Sequence, residues 1–162
     1  MADKMSPEAR SALMSRVRSK DTKPEHVVRR LLHGMGYRFR IHQRLLPGTP
    51  DIVLRRHRTA IFVHGCFWHG HEGCRRARLP ETRRDFWEAK ISRNITRDSE
   101  ATVELEKLGF RVLVLWECEL KNAELLRSVL RRHFEDGAVA DGAQIEDGRP
   151  GDDPSGVGPP AT

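Results

Sequence analysis

Long apolar runs are missing from this 162-residue sequence. No uninterrupted hydrophobic stretch approaches the roughly 20 residues that a membrane-spanning helix needs, which argues against a transmembrane protein. The opening residues, MADKMSPEAR, also lack the apolar core of a secretory signal peptide. We therefore expect a cytoplasmic protein with no membrane partner.

Cysteine is scarce as well. The chain has three cysteines, at positions 66, 74 and 118. An odd and small number suits a reducing compartment and does not suit a disulfide framework. At this length a single hydrophobic core can stabilise the fold without such cross-links.

Acidic charge is concentrated at one end of the chain. Residues 136–162 contain six acidic residues against Arg149 alone, a sum of −5, so the formal +6 of the whole chain leaves +11 on residues 1–135. A field this positive suits a polyanionic partner, although a well-solvated basic surface would have the same composition. The tail is rich in Gly and Pro and poor in large apolar residues. We predict a folded domain over 1–135 and a disordered acidic tail over 136–162.

The order of periodic segments predicts an α/β fold. Ser6-Pro7 is expected to open a helix that ends near Arg18, and TKPE at 22–25 is a capping box that opens a second helix. The remaining segments are strands at 37–41, 51–54 and 59–63, a helix within 81–108, a central strand at 110–116 covered on both faces, and a helix from about Asn122 to Phe134. Together they predict a mixed sheet flanked by helices on both sides.

The loop that follows the 59–63 strand contains metal-ligand spacing. Residues 64–74 read HGCFWHGHEGC, in which Cys66, His71 and Cys74 form a C-x4-H-x2-C pattern. Cys118 follows the 110–116 strand, which could run beside the first strand. Three thiolates and one imidazole are typical of a closed, structural zinc site. The alternative is three buried free cysteines beside an unrelated histidine.

A second group of residues is expected at the same edge of the sheet. Asp51 opens one strand of the 51–63 hairpin and His64 closes the other, so both could lie beside His69. A carboxylate suits magnesium, which binds phosphate oxygens directly. A magnesium ion with a histidine that moves protons is a typical arrangement for phosphodiester hydrolysis. Singly, each residue is weak evidence, because an Asp after Pro is more often a turn residue and a lone histidine is more often a surface or packing residue.

Several motifs together resemble a known family. TPD before two short strands resembles the restriction-endonuclease superfamily, but the second strand reads FVH, where that superfamily has an acid-x-Lys motif. That departure, FVHGCFWH, the zinc spacing, RRDFWEAKISRNITRD at 83–98 and VLVLWEC at 112–118 closely resemble the very-short-patch repair (Vsr) endonucleases. The resemblance covers about residues 5–134.

The resemblance implies a function and partners. It implies a restriction-endonuclease-like fold and an enzyme that nicks one strand of duplex DNA at T:G mismatches left by deaminated 5-methylcytosine. Magnesium would serve cleavage and zinc would serve structure. It further implies a prokaryotic monomer acting at the nucleoid, with a functional link to a cytosine-5 DNA methyltransferase and to mismatch-repair proteins.

The resemblance also assigns catalytic roles. Asp51 becomes the side-chain magnesium ligand, with the backbone carbonyl of Val63 as a second protein ligand. His69 becomes the general base for the attacking water, and His64 helps to position the phosphate and water. Glu25 matches an acid near the metal-bound waters, although its place in the capping box accounts for it equally well. Asp98 would orient His69.

DNA contacts follow from the same resemblance. Phe67 and Trp68 would act as apolar wedges that unstack a base step, and Met14 would enter from the opposite groove. Further residues near the mismatched bases would be Trp87, Lys90 and Asn94. Phosphate contacts are assigned to Arg75, Arg76, Arg78, Arg83 and Arg84, which would otherwise form a solvated face. Two other classes remain open: a zinc-stabilised DNA-binding protein without cleavage, and a restriction-type nuclease of other specificity.

Overall fold

The computed structural model describes residues 20–138 together with Ser6 and Ala12. Within these residues the helices are α1 (Lys23–Gly34), α2 (Arg84–Lys107) and α3 (Ala123–Ala138), and the strands are β1 (Arg40–Ile41), β2 (Ile52–Leu54), β3 (Thr59–His64) and β4 (Arg111–Trp116). None of the described helices combines the length and hydropathy that crossing a membrane would require. The helix predicted from Ser6 to Arg18, Met14 and the tail from residue 139 lie outside the described residues apart from Ser6 and Ala12.

Helix α1 begins at the predicted capping box. The Thr22 hydroxyl accepts from the Glu25 N–H, and the Glu25 carboxylate accepts in return from the Thr22 N–H. Val28 and Leu32 are fully buried on its inner face, whereas the neighbouring Val27 is 40% exposed. Only part of the apolar surface of α1 therefore packs into the core.

The four described strands form one mixed sheet in the order β1-β2-β3-β4. The β2–β3 pair is the predicted antiparallel hairpin, closed by a short 3-10 turn over Arg55–His57. Helix α2 then carries the chain back so that β4 pairs with β3 in parallel, with His64 opposite Trp116. A parallel pair requires a crossover of this kind, because the second strand must start at the same end of the sheet.

Helices cover both faces of the sheet. One core packs Ile52, Leu54 and Ile61 against buried residues of α1 and α3, while on the other face Ala60 and Phe62 pack against Leu105 of α2. Alternation along β3 sends successive side chains to opposite faces, so one strand serves both cores. The prediction of a mixed α/β sheet between helices is confirmed.

Three features of the fold differ from the predictions. The strand predicted at 37–41 is only Arg40–Ile41, because its partner β2 has three residues and turns away after Leu54. The apolar strand predicted to be central, β4, is covered on both faces but lies at the edge of the described sheet. An apolar sequence indicates that both faces of a strand are buried, but it does not indicate whether the strand is hydrogen-bonded to one neighbouring strand or to two. Helix α3 continues to Ala138, past its predicted end at Phe134.

Candidate active site and metal cluster

A cleft of about 710 Å³ opens at the end of β3 where the chain leaves the sheet. Its polar lining includes Glu25, Asp51, His64, His69 and Asp98. These residues come from α1, the start of β2, the end of β3, the following loop and α2. The structure thus brings the five candidate catalytic side chains of the sequence into one cavity.

Asp51 is held by the strand beside it. Its Oδ2 accepts a hydrogen bond from the Val63 N–H at 2.8 Å. Burial raises the pKa of Asp51 to about 6, and the Val63 hydrogen bond opposes that shift only in part. A buried carboxylate with a raised pKa at a cleft is poised to gain a cation.

His64 and His69 lie face to face. Their ring centroids are 3.8 Å apart with an interplanar angle of 9°. His69 Nδ1 is 2.5 Å from Asp98 Oδ2, so this nitrogen carries the proton and Nε2 of a neutral His69 is an acceptor. Burial, followed by the proximity of His69, lowers the pKa of His64 to about 4. His64 is therefore neutral near pH 7.

The predicted zinc ligands lie close together at the loop that follows β3. One ligand atom from each of Cys66, His71, Cys74 and Cys118 lies within 4.8 Å of all the others. The Cys118 Sγ to His71 Nδ1 distance is 3.4 Å. In a tetrahedral zinc site with Zn–S of about 2.3 Å and Zn–N of about 2.0 Å, neighbouring ligand atoms are roughly 3.5–3.8 Å apart. The four side chains fit such a site.

The loop between the ligands is folded by its own backbone. His71 N–H donates to the Cys66 carbonyl at 3.0 Å, and Cys74 N–H donates to the His71 carbonyl at 3.2 Å. Trp116 stacks on His71, with centroids 4.1 Å apart, and meets His64 edge-on at 5.3 Å. The metal cluster and the cleft are thus joined through one indole ring.

Comparison with known proteins identifies the family. The family model described as DNA mismatch endonuclease Vsr matches residues 2–76. Type II nicking enzyme V.XorIIP of Xanthomonas oryzae is 53% identical over 131 residues, which cover 81% of this chain and 96% of the relative. The chain belongs to the Vsr family. DNA mismatch endonuclease Vsr of Escherichia coli is 40% identical over 147 residues, covering 90% of this chain and 94% of the relative, and V.NmeAIP of Neisseria meningitidis is 46% identical over 132 residues, covering 82% and 94%.

In this Vsr family member the candidate DNA-contacting aromatic residues form a cluster. Phe67 and Trp68 meet edge-on at 5.1 Å, and both contact Trp87, at 5.3 and 6.1 Å. Trp87 is only 8% exposed, whereas Phe67 and Trp68 are half-buried. The Lys90 ammonium lies 5.3 Å from the Trp68 ring. Met14, predicted to act from the opposite groove, lies outside the described residues.

Helix α2 fixes the outer part of this loop. Asn94, which is predicted to contact bases, donates from Nδ2 to the Trp68 carbonyl at 2.8 Å. Gly70 has a φ of +62°, and a Cβ there would lie 2.8 Å from the Ile95 Cδ1 and 2.9 Å from the Ile91 Cγ2. Only glycine fits this close approach without displacing α2 side chains.

The arginines assigned to phosphate are all exposed. They lie on the 3-10 turn at Arg75–Ala77, just after it, and at the start of α2. Two have acidic partners: Arg76 with Glu117 at 3.3 Å and Arg84 with Glu88 at 2.7 Å. Exposed pairs of this kind are weak and readily exchanged for other anions.

Sequence reasoning missed one group beside the cleft. Arg29 of α1 forms ion pairs with Glu25 at 2.6 Å and with Asp21 at 2.7 Å, and it contacts His42 of the β1–β2 loop at 3.0 Å. The i,i+4 spacing of Glu25 and Arg29 on a predicted helix was a usable signal. The contact between Arg29 and His42 had no comparable signal in the sequence.

The raised pKa of Asp51 predicts a pH-dependent stability difference. In magnesium-free buffer we expect Asp51→Asn to be more stable than wild type at pH 8 by about 1–3 kcal/mol. The folded protein holds the Asp51 proton above its ordinary pKa of 3.8, so wild type loses stability as the pH rises from about 4 to about 6. Asparagine still accepts from the Val63 N–H and never ionises.

Urea unfolding of both proteins between pH 4 and pH 8 measures this difference. His64 titrates in both proteins and cancels from the comparison. We expect the advantage of Asp51→Asn to shrink toward zero near pH 4. A stability difference between Asp51→Asn and wild type that stays constant from pH 4 to pH 8 would contradict the raised pKa of Asp51.

Proposed function

We propose that this protein nicks one strand of duplex DNA at T:G mismatches left by deaminated 5-methylcytosine. Family membership supports a DNA endonuclease, and the relatives include proteins named as nicking enzymes and as a mismatch endonuclease. The observation that carries the proposal is the single cleft that holds Asp51, His64 and His69 beside the Phe67-Trp68 pair. The mixed sheet is consistent with a restriction-endonuclease-like fold, which we include in the proposal.

Asp51 and the Val63 carbonyl are the proposed protein ligands of magnesium. Continuing the β2–β3 register from Ile52↔Ile61 places Val63 opposite Pro50. Proline has no N–H, so the ladder offers no donor to the Val63 carbonyl at that position. This oxygen and the Asp51 carboxylate give the hard donors that magnesium prefers. When bound, magnesium would supply electrophilic activation of the phosphodiester and stabilisation of developing negative charge.

His69 is the proposed general base. Asp98 fixes the proton on Nδ1, which leaves Nε2 to take a proton from the attacking water. The water oxygen forms the new bond to phosphorus while the bond from phosphorus to the leaving oxygen breaks. His64 is neutral and stacks on His69, and it would hydrogen-bond a phosphate oxygen or the attacking water. Glu25 lines the same cleft and would orient a water there.

Zinc is the proposed structural metal. Cys66, His71, Cys74 and Cys118 provide four soft ligands and leave no open position for chemistry. The loop they close contains His69 as well as Phe67 and Trp68. Zinc would therefore fix the general base and the aromatic pair relative to β4.

The aromatic pair is the proposed mismatch wedge. Phe67 and Trp68 are half-buried and would exchange their mutual contacts for stacking on bases, with Met14 acting from the other groove. Trp87, Lys90 and Asn94 contact the pair from α2, and all three would lie near the mismatched bases. The exposed arginines at 75, 76, 78, 83 and 84 would bind phosphates. We include in the proposal a monomer acting with a cytosine-5 DNA methyltransferase and mismatch-repair proteins.

Asp51→Asn tests the catalytic assignment. With magnesium we expect this variant to nick T:G duplexes roughly 100-fold more slowly or worse, because the amide neither neutralises nor holds the cation as a carboxylate does. Its Kd for the same duplex should stay within about threefold of wild type, since Asp51 is assigned no base contact. The assay is gel separation of end-labelled T:G and matched duplexes of varied flanking sequence.

The matched control is Glu104→Gln, which removes a carboxylate from the exposed face of α2. It should nick as wild type does. Nicking by Asp51→Asn at a rate near wild type would remove Asp51 from the mechanism, and equal nicking of T:G and matched duplexes by wild type would contradict the proposed specificity.

The metal cluster predicts a fixed zinc content. Protein purified without added metal should contain about one zinc per chain, and Cys118→Ser should contain less and melt at a lower temperature, because metal binding in such sites contributes directly to folding. Elemental analysis and a thermal melt check this. A folded wild-type protein free of zinc would contradict the proposal.

Replacing both wedge residues separates recognition from packing. We expect Phe67→Ala combined with Trp68→Ala to weaken T:G binding more than matched-duplex binding, since the basic surface supplies the salt-dependent, nonspecific part. Stacking is worth about 1–3 kcal/mol per base, so the mismatch preference should fall by roughly tenfold or more. Equilibrium binding at two salt concentrations measures it. An unchanged preference in a stably folded double variant would refute the wedge.

A further inference from the structure

Arg29 connects three separate segments at the edge of the cleft. Its Nη1 donates to Asp21 Oδ1 at 2.7 Å, in the segment before α1. Its Nη2 donates to Glu25 Oε2 at 2.6 Å within α1 and lies 3.0 Å from His42 Nε2 in the β1–β2 loop. The Arg29 side chain is 11% exposed and the Glu25 side chain 3%. The Arg29–Glu25 pair is therefore shielded from solvent, whereas the Asp21 side chain is 52% exposed.

The network leaves Glu25 a single orientation. Glu25 Oε1 accepts from the Thr22 N–H and hydroxyl, and Oε2 accepts from the Asp21 N–H and from Arg29. The capping box alone would hold one oxygen. Arg29 and the Asp21 N–H hold the other, so the plane of the carboxylate is fixed.

Arg29 also contacts His42. The Arg29 Nη2 and the His42 Nε2 are 3.0 Å apart, and the same nitrogen of His42 is 3.4 Å from Asp21 Oδ1 and 3.6 Å from Glu25 Oε2. Asp21 and His42 both have left-handed backbones, with φ of 53° and 46°. Such conformations are strained for residues other than glycine and persist where surrounding contacts hold them. Arg29 contacts both residues.

The network acts on the cleft through charge as well as position. Glu25 and His42 line the cleft together with Asp51. The negative charge of Glu25 raises the pKa of Asp51, while Arg29 and His42 lower it. Asp21, Glu25 and His42 also have donor atoms close enough to hold a metal ion. The guanidinium already occupies the position between them as the counter-charge, so we do not assign a metal there.

We propose that Arg29 is a positioning residue for DNA cleavage, acting through Glu25: it fixes the Glu25 carboxylate and the His42 ring as one wall of the cleft beside Asp51. This inference rests on the proposed function. The Glu25 carboxylate and the His42 ring would then keep their positions beside Asp51 when DNA enters the cleft. Loss of a supporting residue of this kind typically lowers activity by about 10–100-fold.

A double-mutant cycle tests the proposal. The proteins are wild type, Arg29→Met, Glu25→Gln and the double variant, with Arg29→Lys as the conservative replacement and Arg30→Met as the exposed neighbouring control. For each, kcat for T:G duplex nicking, Kd for the duplex and Tm are measured. We expect Arg29→Met to lower kcat by about 10–100-fold with Kd within about threefold. Arg29→Lys should recover part of the loss, and Arg30→Met should match wild type.

The cycle distinguishes positioning from general stabilisation. Arg29→Met leaves Glu25 buried without its partner and is expected to lower Tm, whereas the double variant carries neither charge and should regain much of it. If Arg29 acts through Glu25, the double variant has the kcat of Glu25→Gln despite its recovered Tm. A double variant that regains wild-type kcat with its Tm would overturn the proposal, as would a further 10-fold loss beyond Glu25→Gln or an Arg29→Met kcat equal to wild type.

Failure of the proposed function has a different signature. A wild-type protein that does not nick T:G duplexes contradicts the proposed function itself. A wild type that nicks them while the Arg29 and Glu25 variants behave as independent or silent changes overturns only the positioning role.

Discussion

The parallel register between β3 and β4 is the constraint on which both candidate sites depend. His64 pairs with Trp116, and Cys66 and Cys118 each lie two residues beyond the end of the strand that precedes them. One register therefore places the cleft histidine and the candidate metal ligands at the same time. A slip of one residue would turn every side chain to the other face and break both groups together. Trp116, between His71 and His64, spans the two sites at the point where the strands end.

Different interactions hold the residues on the two sides of the cleft. On the β3 side, the stacked His64 and His69 rings and the Asn94 bond to the Trp68 carbonyl hold a short loop, which the clustered Cys and His side chains would cross-link with a metal bound. On the α1 side, a buried guanidinium fixes its acidic neighbours. Buried ion pairs are costly to break, by about 3–5 kcal/mol, yet seldom add net stability compared with apolar packing. Their presence beside Asp51 is therefore better explained by geometry than by stability.

The sequence predicted those features whose cause is local. The capping box at Thr22, the β2–β3 hairpin and the C-x4-H-x2-C spacing each follow from neighbouring residues, and the structure contains all three. The length predicted for β1 was wrong because it depends on how far β2 continues, and the central position predicted for β4 was wrong because burial and strand pairing are separate properties. The Arg29 contact with His42 was missed because it joins residues 13 apart through a left-handed backbone.

The proposed wedge has a physical requirement that the structure meets. An aromatic side chain that unstacks a base step must resist being pushed back, so its backbone must be fixed before DNA arrives. Cys66 precedes the pair and is fully buried among the candidate metal ligands, and Asn94 holds the Trp68 carbonyl from α2. Lys90 lies over the Trp68 ring, which places a cation where the phosphate backbone or a base edge would approach. Because His69 directly follows the pair, insertion of the rings and placement of the general base depend on the same short segment of chain. Recognition of the mismatch and cleavage beside it would thus be coupled by covalent geometry, without a conformational change between two distant sites.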